Sequence, residues 1–200
     1  MLEEEYEKSR RRLPAHLRRA PEPERPFSYV IRPATEGDIP DIREIYNYYV
    51  TNSVVTFDEK KWTLAQWREK FELLATRGLP FLVAESPSGQ ILGYALVQPL
   101  SSKSAYRFSV ENSIYVAPDA HRRGIGRALL DRLIDECETR GYRLMIAVIG
   151  DSAQTPSIEL HRAAGFKLVG TLEGVGYKFD RWLDTVLMQR ALGQGTSTPP

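Results

Sequence analysis

One continuous stretch, residues 110–137, narrows what this chain can fold into more than any other. An alternating apolar run from Val110 to Val116 leads to His121-Arg122-Arg123-Gly124-Ile125-Gly126-Arg127, and an amphipathic pattern follows from Ala128 to Cys137. The order is strand, glycine-bearing basic turn, helix. Glycines let backbone N–H groups turn inward, and a helix start adds the positive end of its dipole. Arg122, Arg123 and Arg127 supply guanidinium groups that can meet phosphate oxygens. The stretch therefore predicts an anion site. No Gly-Lys-Ser/Thr end is present, which argues against a nucleoside triphosphate loop. Ala128 or Leu129 stands where a dinucleotide fingerprint needs its third glycine.

Composition sets the bounds around that site. Two hundred residues, 42% hydrophobic and 26% charged, describe one globular domain with tails. A net charge of +1 argues against a general nucleic-acid binder. The single cysteine, Cys137, cannot form an intramolecular disulfide and sits on an apolar helical stripe, as a buried structural thiol would. The three histidines fall at no ligand spacing, so no metal site is expected. No apolar run is long enough to span a bilayer, and the acidic start (Glu3, Glu4, Glu5, Glu7) fits neither a secretion signal nor a transit peptide. The expected location is the cytoplasm, with no membrane partner.

Residues 1–26 read as a charged, proline-containing extension, acid before base, in the manner of a short solvated helix or a partner-binding arm. Residues 193–200 are Gly, Ser, Thr, Gln and Pro, and are expected to be disordered. Between them, residues 27–192 alternate strand and helix. Tyr29–Arg32 reads as a strand. Thr35 and Thr63 can each cap a helix, the second carrying Leu64, Trp67, Phe71 and Leu74. Strands are expected at 81–85, 91–99 and 109–116. Leu144 to Ile149 is an unbroken apolar run that predicts a central strand buried on both faces. A short helix at 156–164 ends at Gly165, and strands near 167–175 and 182–189 close the domain. Tyr46, Tyr49, Trp62 and Trp67 sit at spacings that assign them to the core.

The resulting order, β-α-α-β-β-β-α-β-α-β-β, together with His121-x-x-Gly-x-Gly and Leu160-His161-Arg162-Ala163-Ala164-Gly165-Phe166, resembles the GNAT N-acetyltransferase superfamily over about residues 29–190. The resemblance implies an α/β (α+β) fold, a mixed central sheet of about seven strands with about four helices. It implies acetyl-CoA as co-substrate, its pyrophosphate on His121 to Arg127, where His121 replaces the usual Gln or Arg. It also implies that Ile114, Tyr115 and Val116 contact the cofactor, and that backbone N–H groups around Tyr115 and Val116 hold the oxyanion of the tetrahedral intermediate.

Acetyl transfer to an amine needs a neutral nucleophile, so a base is useful. Alternation places Glu111, Ser113 and Tyr115 on one face of their strand and Val110, Asn112, Ile114 and Val116 on the other. Glu111 can take a proton from the amine; the strand pattern alone fits an ordinary surface glutamate equally well. His161 occupies the slot where many members carry a tyrosine that protonates the departing thiolate, and an imidazole could give or take that proton.

Four further segments narrow the resemblance: Ser53–Phe57, Ala105–Val116, Ala147–Gly150 and Val175–Trp182. Together they look like the phosphinothricin and methionine sulfoximine N-acetyltransferases, which acetylate the α-amine of small amino-acid analogues. The resemblance makes Glu111 the general base of direct transfer in a ternary complex. It places Phe57, Lys103, Tyr106, Phe108, Val148 and Gly150 around the substrate, with Gln154 near the pantetheine arm. Ser101 stands where some members have a second basic residue. A homodimer is implied as well. Two rival readings are a peptide or protein N-acetyltransferase, which needs an open groove, and a non-catalytic acetyl-CoA-binding module.

Overall fold

The computed structural model describes residues 27–199; the extension 1–26 and Pro200 lie outside the described residues. In chain order the elements are β1 (Val30–Pro33), α1 (Ile39–Asn52), α2 (Leu64–Thr76), β2 (Phe81–Glu85), β3 (Ile91–Pro99), β4 (Ser109–Val116), α3 (Ile125–Thr139), β5 (Leu144–Gly150), α4 (Thr155–Ala163), β6 (Lys167–Lys178) and β7 (Arg181–Ala191). The seven strands form one mixed sheet in the order β1-β2-β3-β4-β5-β7-β6. This is the expected architecture. Neighbours run antiparallel except β4 and β5, which are parallel.

Helices cover both faces, and the register of β3 shows which lies where. Tyr94 meets Trp67 of α2 edge-on at 5.6 Å between ring centroids. Its neighbour Gly93 points the other way, toward Leu129 of α3. A Cβ on Gly93 would lie 2.8 Å from the Tyr115 carbonyl, so only glycine lets β3 and β4 approach so closely. The stripe Leu129, Leu130, Leu133, Ile134 and Cys137 is fully buried along α3. Burial pushes the Cys137 thiol up to about 12, which leaves it an inert packing group. At the start of α2 the Gln66 N–H donates to Thr63 Oγ1, and the Thr63 N–H donates to Gln66 Oε1, a reciprocal cap.

Two expectations need correction. β5 is not buried on both faces: Met145, Ala147 and Ile149 are buried, but Val148 is 44% exposed. Its two sides differ because β4 diverges from β5 there and leaves a cleft. The closing hairpin is longer than expected, with a two-residue turn at Phe179 and Asp180 whose φ angles are 51° and 57°. That geometry belongs to a tight primed turn, which usually advertises itself with glycine or asparagine. After β7 residues 193–198 form turns and bends with no helix or strand, and Arg143 Nη2 donates to Thr198 Oγ1 and to the Pro199 carbonyl. Among the described residues no helix is long and apolar enough to cross a membrane.

Trp67 is 2% exposed and touches Tyr46, Trp62, Phe81 and Tyr94. Replacing it with alanine leaves a large cavity. Chemical denaturation of Trp67→Ala should show a loss of about 3–5 kcal/mol.

Candidate active site

The site begins where the sheet stops being a sheet. β4 and β5 pair in parallel from Ser109↔Leu144 to Asn112↔Ala147 and then part. Beyond that fork β4 stays tied to β3 as far as Gly93↔Val116, and β5 stays tied to β7 as far as Gly150↔Thr185. Each limb therefore turns part of its N–H and C=O groups into the gap, where no strand meets them. The gap continues into a cleft of about 750 Å³ lined by Ser113 to Val116, Ala147 to Gly150 and the start of α3.

The basic turn closes one end of that cleft. Arg122 and Gly124 hold φ angles of 60° and 78°, and Gly124 is the left-handed residue from which α3 starts. The first helical acceptor is the Gly124 carbonyl, met by Ala128 N–H. The N–H groups of Ile125, Gly126 and Arg127 thus precede the helical ladder and face the cleft end unpaired within the helix. His121 turns back to the strand. The Tyr49 hydroxyl donates to the Val116 carbonyl at 2.5 Å and lies 2.6 Å from His121 Nε2, which is 3.2 Å from the same carbonyl. Burial pushes Tyr49 up to about 12, so it remains a protonated donor.

Alternation sends the two residues at the fork to opposite faces. Glu111 lies on the α1/α2 face, half-buried, and accepts from Gln98 Nε2 at 3.3 Å. Burial raises its proton affinity; the Gln98 hydrogen bond and the charge of Lys70 oppose that rise. Asn112, 6% exposed, lies on the α4 face, 3.1 Å from His161 Nε2. His161 Nδ1 is 2.8 Å from the Ser157 carbonyl. A carbonyl can only accept, so Nδ1 carries the ring proton and Nε2 accepts from the Asn112 amide. Both nitrogens are engaged, and burial lowers the pKa of His161.

These features, a helix start with unpaired N–H groups joined to a strand fork with free backbone groups, fit a long phosphate-ended thioester. The comparisons agree. The model of the acetyltransferase (GNAT) domain matches residues 31–187. The chain belongs to the GNAT acetyltransferases. It is 44% identical over 170 residues to the phosphinothricin N-acetyltransferase of Alcaligenes faecalis, covering 85% of this chain and 86% of the relative. It is 38% identical over 173 residues to an L-methionine sulfoximine/L-methionine sulfone acetyltransferase of Pseudomonas aeruginosa, covering 86% of this chain and all of the relative. Its fold matches the crystal structure of a phosphinothricin acetyltransferase from Sinorhizobium meliloti in complex with acetyl-CoA, with a TM-score of 0.84 and 44% identity. That match covers 86% of this chain and 92% of the other.

Within this GNAT N-acetyltransferase, the cofactor-side set is gathered in one place. Ile114, Tyr115, Val116, His121, Arg122, Gly124, Ile125, Gly126, Arg127 and Gln154 line the cleft, as do His161, Val148 and Gly150. Arg123 does not; its guanidinium lies over the Phe27 ring, 4.4 Å from the centroid. The remaining substrate-side set is spread out. Phe57 packs against Gly150 and Gly176, where added Cβ atoms would lie 2.9 and 2.4 Å from its ring carbons. Beneath it Lys178, 3% exposed, donates to the carbonyls of Ser53 and Thr56 at 2.8 Å each, pinning the segment that carries Phe57. Lys103 and Tyr106 are exposed on the β3–β4 connection, and Phe108 lines a separate hollow with Arg143 and the C-terminal segment.

Sequence reasoning missed Tyr49, Asn112, Gln98, Lys70 and Lys178. Tyr49 looked like core from its spacing, yet a tyrosine in a core stripe needs a partner for its hydroxyl, which was the available signal.

A neutral, doubly bonded His161 has a checkable consequence. Ring-nitrogen NMR should find the proton on Nδ1 and a titration below the ordinary imidazole value of about 6.5. The sign for stability follows. As pH falls through that ordinary value the unfolded chain takes up a proton that the folded site resists, so unfolding becomes easier on the acid side.

Proposed function

We propose that this acetyltransferase acetylates the α-amine of a small amino-acid-like substrate of the phosphinothricin, methionine sulfoximine or methionine sulfone type, with Glu111 as general base. The observation that carries the reading is the place of Glu111, one residue before the fork and on the face opposite α4. That register puts the Glu111 backbone at the edge of the gap into which a thioester would lie, with its carboxylate on the α1/α2 face. Its raised proton affinity brings it closer to neutral pH, where a base works best.

Acetyl-CoA would supply the activated acyl group in one ternary complex: the C–N bond forms, the C–S bond breaks, and CoA leaves as a thiolate that takes the second proton given up by the nitrogen. The chain does the rest. Glu111 takes the ammonium proton, directly or through a water, and frees the nitrogen lone pair. On the β4 limb the Val116 N–H, turned away from β3 by the register, meets the developing oxyanion. Lys103 on the β3–β4 connection is our choice for the substrate's carboxylate or phosphinate, with Tyr106 and Phe57 against its aliphatic stem. That connection enters β4 two residues before Glu111. His161, with both nitrogens occupied, holds Asn112 in place at the fork and transfers no proton.

The primary test is CoA thiol release with acetyl-CoA and a panel of phosphinothricin, methionine sulfoximine, methionine sulfone, ordinary amino acids and short peptides. Turnover of the first three is expected. Silence across them with peptides active would replace the substrate class. Glu111→Gln should lower kcat by about 10²–10⁴-fold while leaving acetyl-CoA binding nearly unchanged. Unaltered turnover at neutral pH would remove Glu111 from the role.

A homodimer is part of the proposal, supported by the outer strand. Leu168, Val169, Leu172, Val175 and Tyr177 on β6 are each 47–61% exposed, and Trp182 on β7 is 70% exposed. So long an apolar row on an open sheet edge is a surface that a second copy would cover. Light scattering should give twice the chain mass, and Trp182→Asp combined with Val175→Asp should shift the population toward monomer.

A further inference from the structure

Glu111 is linked to a part of the molecule that the transfer chemistry described above leaves unused. Its register partner on β3, Gln98, donates Nε2–H to Glu111 Oε1 at 3.3 Å. The other edge of the same amide, Oε1, accepts from Lys70 Nζ on α2 at 3.2 Å. Lys70 lies over the Trp62 ring, 5.4 Å from its centroid. Lys70 and Gln98 also line a hollow of about 480 Å³ between α2 and the end of β3, away from the cofactor cleft.

An amide has two unlike edges. The NH₂ edge can only donate, and beside a carboxyl group it favours the ionised form. The carbonyl edge can only accept, and in the same place it favours the protonated acid. Which edge Gln98 shows to Glu111 is therefore a chemical choice. Lysine has three donors and no acceptor, so a Lys70 that holds the carbonyl edge fixes the NH₂ edge toward Glu111.

We propose that Lys70 is a positioning residue for acetyl transfer, acting through Gln98 to keep Glu111 an ionised acceptor. The inference rests on Glu111 being the base. The charged and titratable groups around it are few. Lys70 comes from α2, Asp58 from the α1–α2 connection, and Tyr115 from β4 itself. Asp58 is held by the Tyr46 hydroxyl at 2.5 Å and the Trp62 indole N–H at 2.7 Å, with Lys178 beyond it. Burial raises Tyr115, which stays neutral, and His161 lies on the opposite face. Lys70 is thus the cation of this set whose charge reaches Glu111.

The test follows the Glu111 carboxyl directly by carbon NMR in the full chain, assigned with Glu111→Gln. It is paired with the pH profile of kcat/KM for phosphinothricin. In Lys70→Met the carboxyl titration and the acid limb should both move to higher pH, by about half a pH unit or more. Lys70→Arg, which keeps charge and donors, should return both toward the parent. Gln98→Leu should reproduce the upward move, and adding Lys70→Met to it should contribute little more, because the two act through one link. Acetyl-CoA affinity should stay level throughout, which a general loss of structure would not allow. An unmoved titration in both Lys70→Met and Gln98→Leu overturns the inference while leaving the base assignment standing. A fully active Glu111→Gln would remove the base assignment and with it the role of Lys70 in transfer; the Lys70 effect on the carboxyl titration could still be read, so the two failures stay distinguishable.

Discussion

The structure depends on where one ladder ends. Parallel pairing of β4 and β5 stops at Asn112↔Ala147, and each strand continues on the arm of a different neighbour. A fork of this kind is costly unless something holds the limbs apart, because two adjacent strands with free hydrogen-bonding groups would otherwise close. The β4 limb is held from both sides. Gly93 lets β3 come close enough to grip it, and Tyr49 with His121 fastens the Val116 carbonyl at its tip. The basic turn follows that tip, so one geometric event sets both the open backbone of the gap and the unpaired helix start beside it.

At the fork, adjacent residues diverge to opposite faces, and the two faces treat polarity differently. On the α4 side the solution is neutral: Asn112 and His161 satisfy one another and Ser157 takes the ring proton's hydrogen bond. Removing one member would strand the other, at a cost of about 1–3 kcal/mol per unsatisfied group. On the α1/α2 side a carboxylate sits half-buried with one amide donor and a lysine behind it. A neutral pair suits a position that must stay still. An ionisable group with adjustable partners suits the proton exchange proposed for Glu111.

Much of this was legible in the sequence, because periodicity and the glycine turn report on local backbone. Val110 to Cys137 announced strand, turn and helix, and alternation placed Glu111 and Asn112 on opposite faces. What stayed hidden was set by contacts between distant segments. The fork is invisible in β5, where Leu144 to Ile149 is uniformly apolar although Val148 faces an opening. The hairpin turn at Phe179-Asp180 lacks the glycine that usually marks such a turn, and puts a phenylalanine at its first position. Lys70 and Gln98 were visible in principle: Lys70 falls three residues after Trp67 and four before Leu74 on an apolar stripe, and Gln98 breaks the run of buried residues from Ile91 to Val97. Each looks like an isolated flaw until the fold brings the two together.

The aromatic layer beneath Glu111 explains why such a pair is needed there. Tyr46 meets Trp62, Trp67 and Tyr115 edge-on at 5.3–5.6 Å, and Tyr94 stacks on Tyr115 at 5.3 Å. Asn47 bonds both the N–H and the carbonyl of Trp62, and Asp58 takes the Tyr46 and Trp62 donors, so the layer is locked to α1. Stiff, low-dielectric packing of this kind positions one wall of the site with little entropy left to lose, but it also withdraws water from the carboxylate set into it. Left to that wall alone, Glu111 would drift toward its protonated form, away from the state that the proposed base role requires. The wall that gives the site its shape thus creates the electrostatic demand that Gln98 and Lys70 meet.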